Sequence, residues 1–83
     1  MFDSYVVYVR IECPFCILSI AELQERGFEY KIIEIDDCPE GFISQLKDGY
    51  NHDTFPMILG HDDTYNSYGW IGGHGDLVES FDE

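Results

Sequence analysis

The feature that most restricts how this chain can fold is a strand-to-helix junction that carries two cysteines. The run Tyr5-Val6-Val7-Tyr8-Val9 is apolar and β-branched, without polar alternation. It reads as a strand over residues 3–10, buried on both faces. Residues 14–26 follow as a helix. Its apolar set (Phe15, Ile17, Leu18, Ile20, Ala21, Leu23) is opposed by Ser19, Glu22, Glu25 and Arg26, and Gly27 is placed to end it. Cys13-Pro14-Phe15-Cys16 stands at the junction. There the unpaired N–H groups of the helix start, with the helix dipole, stabilise a Cys13 thiolate. Pro14, at the first helical position, gives up no hydrogen bond. Cys16, one turn in, is close enough to close a disulfide with Cys13.

A second strand over residues 28–35 completes a βαβ unit, so the first two strands should be parallel with a right-handed crossover. Asp36-Asp37-Cys38-Pro39 is a turn, residues 40–48 a short helix and residues 49–53 a loop. Residues 55–59 and 65–71 read as an antiparallel hairpin across a polar turn, Gly60 to Thr64, and residues 76–81 as a terminal helix. The order βαβαββα implies one α/β domain over residues 1–83, a four-stranded mixed sheet flanked by three helices.

Composition narrows the function. Eighty-three residues with 45% hydrophobic and 16% aromatic content make one packed domain rather than a disordered chain. Seventeen acids against four bases give a formal charge of −13. That excludes nucleic acid, which needs clustered Lys and Arg, and favours solubility and steering toward basic partners. No apolar stretch approaches a membrane span and no signal peptide precedes the first strand. Three cysteines leave one over, which suits a reducing cytoplasm better than a secreted disulfide scaffold.

Four groups of residues carry chemistry. Zinc at Cys13 and Cys16 would need partners from Cys38, His52, His61 and His74, but none of these forms a second tight pair. Redox chemistry without a metal is the better reading. Thr54-Phe55-Pro56 heads a strand. A cis bond before Pro56 would leave the Phe55 backbone free to pair with an extended peptide, where a trans one would be an edge-strand proline. Gly72-Gly73-His74-Gly75-Asp76-Leu77 is either a turn with Asp76 as helix cap, or a cradle. In the cradle, glycines admit a ligand, the helix start holds a carboxylate and Asp76 an ammonium. Arg10, three residues before Cys13, either joins a surface ion pair or favours the thiolate and holds a carboxylate.

These motifs, in this order over essentially the whole chain, resemble a dithiol glutaredoxin: Arg-x-x-Cys-Pro-Phe-Cys, then Thr-Phe-Pro, then Gly-Gly-x-x-Asp-Leu. The resemblance implies a thioredoxin-like (glutaredoxin) fold. It also implies a glutathione-dependent thiol–disulfide oxidoreductase that serves electron transport and cell redox homeostasis. Cys13 would be the nucleophile of its redox-active centre and Cys16 the resolving thiol. Arg10 would hold the glycyl carboxylate of glutathione, and Phe55, beside a cis-Pro56, its cysteine. Gly75 and Asp76 would take the γ-glutamyl end, with Phe15, Thr54 and Gly73 completing the groove. Lys47, Asn51 and His52 remain open as a further loop contact. Glutathione would be the co-substrate, with no metal. Partners would be disulfide-bearing or glutathionylated proteins, with ribonucleotide reductase the family's example. The protein would be a cytoplasmic monomer, in the host cytoplasm if virally encoded.

The chain departs from that pattern in several places. Phe15 replaces the usual Tyr and Phe55 the usual Val, the latter narrowing the groove. Glu12 beside the nucleophile should raise the Cys13 pKa. Several extra residues, among them Asp62, Asp63, Tyr65, Tyr68 and Trp70, lengthen the hairpin, and the terminal helix is short. Small acidic chains of this kind fit viral or bacterial members. Cys38 belongs to no motif and reads as a half-buried turn thiol. The rival readings are an electron donor recharged by thioredoxin reductase, an iron–sulfur or metal-binding module, and a redox-inert scaffold. Arg10 and the Gly72–Asp76 segment speak against the first, and stiff Pro14 against the second.

Overall fold

The computed structural model describes residues 2–10, 12–52 and 54–81. Strand β1 is Ser4–Val9, helix α1 Pro14–Glu25 and strand β2 Glu29–Glu34. A 3₁₀ turn, Ile35–Asp37, leads to helix α2, Phe42–Tyr50; strands β3, Met57–Asp62, and β4, Ser67–Gly72, precede helix α3, His74–Phe81. The sheet order is β2-β1-β3-β4. β1 pairs parallel with β2 and antiparallel with β3, and β3 pairs antiparallel with β4. This is the four-stranded mixed sheet with three helices that the sequence implies.

Boundaries differ where backbone conformation decides. α2 starts later than expected because Gly41, at φ 85°, is left-handed and cannot be helical. It then runs through Gly49 and Tyr50, so the expected loop shrinks; its last residue, Asp53, lies outside the described residues. Gly60, His61 and Asp62, expected in a turn, belong to β3. Gly60 pairs across the ladder with Gly69, and the Phe2 ring lies over both, filling the space that a Cβ on either would occupy.

The core joins Tyr5, Val7 and Val9 of β1 to Leu23, Ile58, Leu77 and the two cysteines. Tyr5 meets Phe28 edge-on at 5.2 Å, and Phe28 stacks on Phe81 at 5.5 Å. Burial pushes the Tyr5 hydroxyl pKa up. On the opposite face of the sheet Tyr8 is buried against Phe42, ring centroids 5.4 Å apart, so β1 is covered from both sides.

α1 does not turn the way its apolar residues suggest. It buries Cys16, Ser19 and Leu23, while Phe15, Ile17 and Leu18 stand 57%, 68% and 48% exposed. Cys16, joined to Cys13, faces inward, and positions 16, 19 and 23 share its stripe at helical spacing. Ser19 is tolerated inside because its hydroxyl donates to the Phe15 carbonyl at 2.8 Å. Among the described residues no helix is long and apolar enough to cross a membrane.

Candidate active site

Cys13 caps α1 from an extended conformation, φ −112° and ψ 97°, and its Sγ accepts the Cys16 N–H at 3.2 Å. A donor already aimed at this sulfur is what a thiolate needs. Cys13 and Cys16 are joined as a disulfide with Cα atoms 5.2 Å apart. Both are buried, Cys13 at 7% exposure and Cys16 at 3%, which makes Cys13 the more accessible sulfur-bearing residue. Glu12 before them is left-handed, φ 58°, and exposed.

A groove of about 580 Å³ opens beside this turn. Arg10, Phe15, Thr54, Phe55 and Pro56 line it. Gly73, Gly75 and Asp76 line it as well. All eight groove residues expected from sequence are therefore brought together. The Phe55–Pro56 bond is cis. The β1–β3 pairing begins at Met57, so the Phe55 backbone lies before the ladder. Its ring is bracketed by two cations, Arg10 at 5.8 Å and Lys47 at 5.9 Å from the centroid. Of the three loop candidates, His52 lines the groove, Lys47 reaches only the Phe55 ring, and Asn51 closes α2 at φ 52°.

Asp76 is not the cap residue itself. It sits inside the first turn of α3 and its Oδ2 accepts the Gly73 N–H at 2.9 Å, so the helix begins two residues earlier than expected, at His74. Gly72 must be glycine, because its φ is 124° and a Cβ would stand 2.8 Å from the Asp76 carboxyl carbon.

Sequence reasoning weighed His74 only as a metal ligand; the structure places it in the groove wall. Its Nδ1 lies 3.0 Å from Ser19 Oγ. The Ser19 hydroxyl has one proton, already given to the Phe15 carbonyl at 2.8 Å, so toward His74 it accepts. In the neutral ring Nδ1 therefore carries the hydrogen and Nε2 a lone pair. Only the pairing of residues 55 apart in sequence reveals this. The hairpin extension backs one groove residue: Trp70 stacks on Tyr50 at 4.3 Å and meets the His52 ring edge-on at 5.3 Å.

Cys38 stands apart. Its thiol donates to the Glu34 carbonyl at 3.7 Å, and burial, with Asp37 beside it, pushes its pKa up. That disfavours thiolate chemistry there. Among the described residues no three His, Cys, Asp or Glu side chains gather into a metal site.

The family model for glutaredoxin matches residues 5–63, which take in the Cys13–Cys16 turn and the cis-Pro strand. This chain belongs to the glutaredoxin family. Solved structures agree. It is similar to a wheat glutaredoxin at 25% identity and TM-score 0.76, covering 94% of this chain and 68% of that one. It is similar to the glutaredoxin of Brucella melitensis at 27% identity and TM-score 0.70, covering 98% and 80%. A buckwheat glutaredoxin, solved as its glutathione complex, shares the fold at 21% identity and TM-score 0.74, covering 94% and 67%. No curated protein matches the chain. In glutaredoxin terms the fold and the disulfide-capable Cys13–Cys16 turn of this chain are those of a small thiol oxidoreductase.

Proposed function

We propose that this glutaredoxin reduces glutathione mixed disulfides and protein disulfides at the expense of glutathione. The observation that carries the reading is the composition of the groove beside the Cys13–Cys16 turn. A cation (Arg10), a backbone segment free of the sheet (Phe55 before cis-Pro56) and the start of α3 with Asp76 lie along it. Glutathione presents the complementary groups: a glycyl carboxylate, an extended cysteine, and an α-amino acid end. The buckwheat protein with this fold was crystallised with that tripeptide.

Thiolate chemistry then sets the steps. The Cys13 thiolate attacks the glutathione sulfur of a mixed disulfide; that S–S bond breaks and the substrate leaves as a thiol after taking a proton. A second glutathione thiolate attacks Cys13 and leaves as oxidised glutathione, returning the Cys13 thiolate. With a protein disulfide, Cys13 forms the mixed disulfide and Cys16 displaces the protein thiol. Two glutathione molecules then reopen Cys13–Cys16, so two electrons pass from glutathione to the substrate.

The test is turnover of the glutathione–cysteine mixed disulfide by the Cys16→Ser variant, with glutathione and glutathione reductase supplied. Retained activity is expected, because Cys13 suffices for this route. An inactive variant, with the unmodified protein recharged only by thioredoxin reductase, would replace glutathione as the electron donor.

A further inference from the structure

The outward face of α1 is unusual for a surface helix. Pro14, Ile17, Leu18, Ala21 and Glu25 follow one another at helical spacing, opposite the buried Cys16, Ser19 and Leu23. Ile17 is 68% and Leu18 48% exposed. The first two turns of this face are therefore apolar, and only the last turn, with Gln24 and Glu25, is polar and exposed. Packing does not require this, since the helix already meets the core through its other side.

We propose that this face is the docking surface for a disulfide-bearing polypeptide with apolar side chains beside its cysteine and lysine or arginine outside them. The proposal rests on the redox reading above. Three observations select this occupant. The face begins at the redox turn, with Ile17 and Leu18 about 6–8 Å along the helix axis from Cys13. Cys13 caps α1 and is buried to 7% exposure, so a macromolecular disulfide that reaches its sulfur comes close to the first turns of this helix. The glutathione groove is lined from Arg10 to Asp76 without Ile17 or Leu18, so the small co-substrate does not account for the face. Charge sets the flanks of the partner. Glu12 and Glu25 are exposed at the two ends of the face, Arg26 is engaged with Glu22 at 2.9 Å, and the chain as a whole carries −13. A cationic segment is drawn to such a field and an acidic one repelled.

The experiment uses two disulfide-closed peptides with leucines beside the cysteines, one flanked by lysines and one by glutamates. Each turnover takes two electrons from two glutathione molecules, opening the peptide disulfide to two thiols and yielding one oxidised glutathione. At low salt the lysine peptide should show a KM at least about tenfold below the glutamate peptide. The double variant Ile17→Ser, Leu18→Ser should raise the lysine-peptide KM about tenfold. Its turnover of the glutathione–cysteine mixed disulfide should stay unchanged, which also certifies its fold. An unchanged peptide KM in the double variant, or equal KM values for the two peptides, overturns the docking surface. Fluorescence anisotropy of the lysine peptide on the Cys13→Ser, Cys16→Ser protein separates this from the parent reading. Docking persists there without chemistry, and a double variant on that background that binds equally well again refutes the face.

Discussion

At the scale of residues, the sharpest assignment is the Ser19–His74 pair. Ser19 is fully buried, and its single proton goes to the Phe15 carbonyl, which leaves His74 Nδ1 as the donor across a 3.0 Å gap. The imidazole is thereby held in one tautomer, with Nε2 in the groove wall. Ring ¹⁵N chemical shifts should show a protonated Nδ1 for His74 near pH 8. In Ser19→Ala that preference should disappear, because Nδ1 loses its acceptor, and the fold should lose about 1 kcal/mol for the broken hydrogen bond. An unprotonated Nδ1 in the unmodified protein would show the bond assigned in the wrong sense. None of this was legible in the chain, because a serine in mid-helix and a histidine between glycines advertise no partner. Arg10, Phe55 and Asp76 were legible because each sits at a fixed offset from a cysteine, a proline or a glycine pair.

At the scale of elements, what could be read from sequence depended on whether local rules were decisive. The βαβ unit, the proline-led strand and the order of all seven main elements follow from periodicity and turn residues. The rotation of α1 does not, since its apolar residues lie on both sides, and the inward stripe is Cys16, Ser19 and Leu23 while Phe15, Ile17 and Leu18 face out. The hairpin is longer than its turn residues suggest. Gly60 reads as a turn residue, yet it lies in β3 opposite Gly69 because the Phe2 ring needs both positions bare. A methyl group on Gly60 would overlap that ring. Gly60→Ala should therefore cost about 1–3 kcal/mol in urea unfolding, the range for overpacking. On a Phe2→Ala background the same change should be nearly neutral, so the two substitutions couple strongly. Additive costs would mean that the strand demands glycine for its backbone and not for the ring.

At the scale of the whole molecule, charge acts on stability and on partners with opposite signs. The chain carries −13 within extents of 31 × 29 × 21 Å. At about 10 mM salt the screening length is near 30 Å, so nearly every carboxylate feels every other across the fold. At about 150 mM it falls to roughly 8 Å and only neighbours repel. Attractive pairs are few: among the described residues the Lys or Arg pair with an acid is Arg26–Glu22, partly exposed and worth little. Net repulsion therefore dominates the salt response, and the thermal midpoint should rise between these two salt concentrations. Over the same range the glutaredoxin's preference for a lysine-flanked over a glutamate-flanked disulfide should shrink, since the field that stresses the fold is the field that draws the cation. Differential scanning calorimetry and peptide kinetics on the same samples would show whether the two trends run in opposite directions. A midpoint that falls with salt would mean that attractive pairs outweigh the excess acids, and that the field around α1 is weaker than the charge count implies.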